Sequence, residues 1–314
     1  MTIVESFPSK ILLFGEYSIL LDSHALAIPF NKFSGEWAFL ENESGQSPQY
    51  ACRSQISLLR FLEYLKQPDS ARKLVHFPDI ELFESDLQKG LYFRSDIPEG
   101  SGFGSSGAVT AAVMKRYSTP VPGTTSMPEV RNDLALLESY FHGKSSGIDP
   151  LVSYYASSIL ISDNGKIEFP IISADEIIRK YGLFIVQDDN DGSTKSFVNK
   201  FRDRCLHDTT YMKEIREKYI PLNNSCINAI IDRTGFRDLI KLLQDLTRLQ
   251  LRLFPDMMSK KMISLAEYGI SQDLFALKLC GSGGGGYMLG FTENTGRIKE
   301  YFSGNQCRIV FVNN

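Results

Sequence analysis

The chain has 314 residues, of which 43% are hydrophobic and 23% charged. That balance excludes a disordered chain, and the length suits two hydrophobic cores better than one. A net charge of −3, with Lys and Arg scattered, argues against a nucleic-acid binder, which needs a basic face.

Strand-like stretches come early, at Lys10–Phe14, Leu26–Pro29 and Gly35–Leu40. A helix is predicted over Ser54–Leu65, because Leu58, Phe61, Leu62 and Leu65 fall at i, i+3, i+4 and i+7. Strands are expected near Ile80–Phe83 and Leu91–Asp96, then a glycine-rich loop and a small-residue helix to about Tyr117. Ser126 can cap a helix that opens at Pro128 and stops before Gly143. A short helix follows Asp149, and Ser157–Ser162 turns through Asp163-Asn164-Gly165 into Lys166–Phe169 as a hairpin. A domain boundary is placed near Arg179, dividing the chain into 1–178 and 179–314. The second half opens with a strand at Gly182–Gln187. Helices are expected over Thr194–Leu206, Tyr211–Arg233, Gly235–Leu253 and Met257–Glu267. Strands Ala276–Leu279 and Tyr287–Phe291 flank a second glycine run, and a last helix and strand Arg308–Val312 follow. This mixed order of strands and helices reads as α+β.

The five cysteines, Cys52, Cys205, Cys226, Cys280 and Cys307, form no CxxC pair, which suggests free thiols in a reducing compartment and no zinc site. The N-terminus lacks the pattern of a signal peptide and no apolar run approaches a membrane span, so a cytoplasmic protein is expected.

The loop Pro98-Glu99-Gly100-Ser101-Gly102-Phe103-Gly104-Ser105-Ser106-Gly107-Ala108 carries the strongest chemical signal. A strand feeds it and a helix leaves it. Its glycines let backbone approach a bulky anion, and the free N–H groups of the helix end make a phosphate site. The same residues would also serve as a tight turn before a capped helix. Two other nucleotide motifs are excluded. A Walker A loop ending at Gly143-Lys144-Ser145 would need glycine where Glu138 stands. Gly281, Gly283 and Gly286 have Rossmann spacing, but a strand-like Tyr287-Met288-Leu289 follows in place of a helix. The acidic turn Asp188–Gly192 lacks the first and last ligands of an EF-hand.

Three motifs in order resemble those of the GHMP kinases: Pro8–Tyr17, Pro98–Ala108 and Lys278–Gly286. The stretch Glu138–Asp149, with its His142-Gly143-Lys144-Ser145-Ser146-Gly147-Ile148-Asp149 run, is similar to the mevalonate kinase segment of that family, including a glutamate-to-aspartate spacing of eleven. There are departures. Ser145 replaces a proline, Gly107 an alanine and Cys280 a threonine, and Tyr17 is more like phosphomevalonate kinase.

The resemblance implies a two-domain α+β fold. The N-terminal domain would be ribosomal protein S5 domain 2-like and the C-terminal domain ferredoxin-like, with ATP and substrate meeting in the cleft between them. It implies ATP and Mg²⁺ as cofactors, mevalonate or a close analogue as substrate, and a monomer or homodimer. Asp149 is the implied base for the substrate hydroxyl; an Asp before Pro150 is also what a helix N-cap looks like. Lys10 would hold Asp149 ionised and steady the transferring group. Pro98, Gly100, Ser101, Gly102, Phe103, Gly104, Ser105, Ser106 and Gly107 would hold the phosphates. Ser106 and Glu138 would bind Mg²⁺. Substrate contacts are implied for Lys10, Glu16, His142, Asp149 and Thr194. Gly281, Ser282, Gly283 and Gly284 would form a glycine loop beside the active site.

Overall fold

A computed structural model describes residues 5–40, 48–68, 73–100, 102–118, 126–187, 195–281, 287–303 and 308–312. The chain folds as two compact units: Met1–Lys10, Pro29–Glu99 and Phe103–Ser157 form one, and Ile11–Ile28, Gly100–Gly102 and Ser158–Asn314 the other. Strands β1 (Ser6–Phe14) and β2 (Ala25–Phe39) contribute residues to both. The two strands expected at Leu26–Pro29 and Gly35–Leu40 are one long strand. Pro29 falls between the stretch of β2 paired at Ala25–Ala27 and the stretch paired at Gly35–Phe39, where neither of those ladders needs its missing N–H.

In the first unit, β2 pairs antiparallel with β3 (Leu91–Ser95), Gly35 opposite Ser95 and Phe39 opposite Leu91. Helix α1 (Pro48–Leu65) lies on β3. The Ser54 hydroxyl donates to the Phe93 carbonyl (2.9 Å) and accepts from its N–H (3.0 Å). Leu58, Phe61, Leu62 and Leu65 are all buried, as their spacing predicts. Helix α2 (Ile80–Gln88) stands where a strand was expected at Ile80–Phe83. A four-residue apolar run has no period of its own. The Asp79 carboxylate caps the helix by accepting from Leu82 N–H at 2.9 Å, and Phe83 and Leu87, one turn apart, both reach the core.

Helix α3 (Ser105–Tyr117) buries Ala108, Ala111 and Ala112. Helix α4 (Met127–His142) starts with the expected Ser126 cap, completed by Glu129 into a reciprocal capping box, and stops before Gly143. Helix α5 (Ile148–Tyr155) begins one residue before Asp149.

In the second unit, Ala25–Ala27 of β2 pairs with β4 (Ile159–Ile161), which returns through the Asp163–Gly165 turn to β5 (Ile167–Glu168) as the hairpin signal predicts. Helix α6 (Ala174–Tyr181), capped by Ser173, occupies a stretch with no predicted element. A second, antiparallel sheet runs in the order β7 (Ala276–Leu279), β8 (Tyr287–Phe291), β6 (Leu183–Gln187) and β9 (Arg308–Phe311). Helices α7 (Lys195–His207), α8 (Thr209–Glu214), α9 (Ile220–Ile231), α10 (Phe236–Leu253) and α11 (Lys260–Ser271) connect β6 to β7, and α12 (Thr295–Ser303) connects β8 to β9.

That strand order and the helical crossovers are those of a ferredoxin-like sheet. Phe184, Val186, Phe275, Leu277, Ile298 and Phe302 pack into one core cluster. The single helix expected over Tyr211–Arg233 is continuous but contains a π turn, Ile215–Tyr219, just ahead of Pro221. The wider turn makes room for a proline ring that would otherwise strike the carbonyl four residues back.

Candidate active site

Lys10 lies inside β1 with a side chain that is almost wholly buried. Its Nζ meets Asp149 Oδ2 at 2.9 Å, and its backbone N–H donates to the Phe103 carbonyl at 2.9 Å. The second bond pins the glycine loop to β1. Phe103 is buried against Phe30 and Phe33, with ring centroids 5.7 and 6.1 Å away, which anchors the loop from its apolar side.

Asp149 is not the cap of α5. Gly147 holds that position, with φ +75°, where a Cβ would strike the Arg131 carbonyl oxygen at 2.5 Å. Asp149 therefore sits in the first turn with its carboxylate turned to Lys10, one-third exposed against 5% for the lysine side chain. The Ser153 hydroxyl donates to the Pro8 carbonyl at 2.8 Å and ties α5 to β1, so the ion pair joins two elements already fixed.

Glu138, on α4, is 4% exposed. It accepts a hydrogen bond from the Ser106 hydroxyl at 3.0 Å and a short one from the Ser145 hydroxyl. Burial, and then the Asp149 carboxylate, push the Glu138 carboxyl up to about 7, against the pull of the two serine hydroxyls and the Lys10 charge. Ser145 also accepts from Gly147 N–H at 2.9 Å, so one hydroxyl braces both the carboxylate and the cap of α5. Its place in the site was not anticipated; the only signal was the departure from proline at that position.

The start of α3 completes the cluster. Gly104 caps it with φ +79° and no side-chain cap bond, and a Cβ there would come within 2.9 Å of Lys10 Cγ. A Cβ on Gly107 would come within 2.9 Å of the Asp149 carbonyl carbon and the Pro150 nitrogen. Bare backbone at these two positions lets the helix end come up against Lys10 and Asp149. Ser105 and Ser106 are half-buried beside it.

Lys10, Gly104, Ser106, Gly107, Glu138 and Asp149 are thus brought together in the first unit. Pro98 is half-buried, Gly100 is exposed with φ +72°, and Gly102 has φ +79°. Gly102 and Gly281 belong to the second unit, where a Cβ on Gly102 would lie 3.8 Å from the Cys280 carbonyl oxygen. Glu16, in the second unit, pairs with Lys278 at 2.5 Å, both side chains fully buried. Ser101, Thr194, Ser282, Gly283, Gly284 and the side chain of His142 lie outside the described residues.

A carboxylate and a hydroxyl offer only oxygen donors, which suit a hard divalent cation, and a buried carboxyl driven toward neutrality gains most from one. Among the described residues no cluster of three or more His, Cys, Asp or Glu could cage a metal. The site therefore fits a cation that takes few ligands from protein and the rest from phosphate and water, as magnesium does.

Comparison with known proteins agrees with the motifs. Residues 70–157 match the family model of the GHMP kinases N terminal domain. The chain is 25% identical over 300 residues to a mevalonate kinase of Pyrococcus abyssi, covering 91% of this chain and 87% of that protein. In fold it is similar to the crystal structure of L. major mevalonate kinase in complex with R-mevalonate, at TM-score 0.65, 17% identity and coverage of 97% and 92%. It is also similar to the Streptococcus pneumoniae phosphomevalonate kinase in complex with phosphomevalonate and AMPPNP, at TM-score 0.62, 16% identity and 99% coverage of each chain. Residues 70–157 thus match a GHMP kinase N-terminal domain, and over most of its length the chain is similar to proteins named mevalonate kinase.

Proposed function

We propose that the chain transfers the γ-phosphoryl group of ATP to the C5 hydroxyl of mevalonate, giving 5-phosphomevalonate and ADP for isoprenoid precursor synthesis. The observation that carries this reading is the Lys10–Asp149 ion pair, 2.9 Å long, set against the uncapped N-terminus of α3. Asp149 accepts the hydroxyl proton as the C5 oxygen attacks the γ-phosphorus. Lys10 pairs with Asp149 and offsets charge on the transferring group. The N–H groups at the start of α3 and the loop from Pro98 to Gly107 hold the phosphates. Ser106 and Glu138 would hold Mg²⁺, which when bound neutralises phosphate charge. His142 and Thr194 are assigned to the substrate side, and Gly281–Gly284 to the glycine loop beside the active site. The reading keeps a domain boundary at residues 178 and 179, a cytoplasmic location and a monomer or homodimer.

Phosphomevalonate is the second reading, and Tyr17 was its support. That ring is 4% exposed and packs on Phe201 and Phe254 at centroid distances of 5.0 and 5.2 Å. It serves the aromatic core of its own unit, so the substrate panel below decides between the two readings. A non-catalytic ATP sensor would have no use for an intact Lys10–Asp149 pair.

Coupled ADP release with MgATP and a panel of mevalonate, phosphomevalonate, mevalonate diphosphate, homoserine and galactose tests the proposal, with Asp149→Asn alongside. Turnover on mevalonate alone, lost in the variant, is expected. Turnover on phosphomevalonate instead replaces the substrate, and ATP binding with no turnover on any compound overturns the catalytic reading.

A further inference from the structure

In the second unit, five groups close a hydrogen-bonded ring. Glu16 Oε1 meets Lys278 Nζ at 2.5 Å, and Lys278 Nζ also donates to the Leu279 carbonyl at 2.6 Å. Leu279 N–H donates to Gln250 Oε1 (2.9 Å), and Gln250 Nε2 donates to the Tyr219 hydroxyl (3.1 Å). The Tyr219 hydroxyl donates to the Glu16 carbonyl (3.2 Å), which returns the ring to its start. Every member is at most 2% exposed. The Phe14 ring lies 5.4 Å below the Lys278 ammonium. The neighbouring Gly15 N–H is held by Asn223 Oδ1 at 2.9 Å, so the Gly15-Glu16 backbone cannot drift.

A buried ion pair is weak evidence for stability, because apolar residues of equal volume serve as well. Its retention calls for another use, and the ring's position supplies one. The residues after Leu279 are Cys280 and Gly281. The Cys280 carbonyl oxygen lies 3.8 Å from where a Gly102 Cβ would be, and a Gly281 Cβ would lie 4.0 Å from Gly102 Cα. Gly102 has φ +79° and Gly281 φ +67°, so both backbones hold left-handed conformations that any shift would disturb.

We propose that Glu16 and Lys278 are positioning residues that hold the Cys280–Gly281 turn against Gly102 and so set the phosphate loop for nucleotide. The proposal rests on the reading of that loop as an ATP site. In this role Glu16 acts through the loop.

The test is the double variant Glu16→Gln/Lys278→Met, which removes both charges together at near-constant volume and leaves no buried charge unpaired. Thermal unfolding, calorimetric binding of MgATP and the two Michaelis constants are measured. The expected result is a folded protein whose Kd and KM for ATP rise at least tenfold while KM for the acceptor stays within twofold. If the double variant does not fold, Tyr219→Phe removes the hydroxyl and with it two bonds of the ring while both charges are kept, and a rise of at least threefold in the ATP Kd is expected. ATP binding as tight as wild type in the folded variant overturns the positioning role alone. Absence of MgATP binding by the wild-type chain overturns the loop reading and the proposal with it.

Discussion

Gly107 occupies the first turn of α3 with no room for a methyl group. An ideal Cβ there lies 2.9 Å from the Asp149 carbonyl carbon and the Pro150 nitrogen, and 3.1 Å from Asp149 Cβ. Carbon contacts settle at roughly 3.5–4.0 Å, so Gly107→Ala requires a retreat of about 0.5–1 Å. Two of the three obstructing atoms are backbone in the opening turn of α5, and no rotamer change moves them. The helix-propensity gain from Gly to Ala is about 1 kcal/mol, and overpacking costs about 1–3 kcal/mol. The net effect on stability is therefore between about zero and a loss of about 2 kcal/mol. The effect on chemistry is larger, because the retreat displaces Asp149 from its 2.9 Å contact with Lys10. A displacement on the order of 1 Å costs on the order of 10²-fold in rate. Coupled ADP release should show kcat down by roughly 10- to 100-fold, with a melting temperature only a few degrees lower. A kcat within twofold of wild type would refute the reasoning, since it would mean that α5 absorbs the methyl without moving the carboxylate.

Asp149→Asn should lower kcat by roughly 10²- to 10⁴-fold with an unchanged circular dichroism spectrum, as expected for loss of a proton acceptor; retained turnover removes Asp149 from that role. Lys10→Met should lower kcat by roughly 10²- to 10³-fold, and a change confined to KM would instead assign Lys10 to binding alone. Glu138→Gln should raise the Mg²⁺ concentration needed for half-maximal rate at least severalfold, measured by metal titration at fixed ATP, while an unaltered titration curve would take Glu138 out of the metal site. Cys226 is wholly buried, and burial pushes its thiol up to about 12. It should resist alkylation at pH 8 in the native protein while the exposed Cys52 reacts, and mass mapping of labelled peptides checks this. The sign on stability follows. The unfolded thiol ionises near its ordinary value while the folded one keeps its proton, so this group's contribution is full below that value and falls as pH rises toward about 12.

The features legible beforehand were local in the chain. The Ser126 cap, the buried face of α1, the hairpin at Asp163–Gly165 and the glycine loop before α3 each depend on residues a few positions apart. Where local signals were short or competing, the reading failed. Ile80–Phe83 is helix because Asp79 caps it, and Asp149 is no cap because Gly147 takes that place with φ +75°. Ser145 was noted only as a departure. That its hydroxyl braces Glu138 depends on how the turn after α4 folds back, which no spacing rule encodes.

The sequence by itself determined the α+β class and the ordered motifs, because glycine conformational freedom, caps and hydrophobic period are properties of neighbouring residues. Only the tertiary structure decided which charges meet. Lys10 and Asp149 are 139 positions apart in the chain and make a 2.9 Å pair. Glu16 is paired across 262 positions with Lys278. Such contacts depend on the packing of strands and helices distant in sequence, and a buried charge takes whichever partner that packing brings within reach.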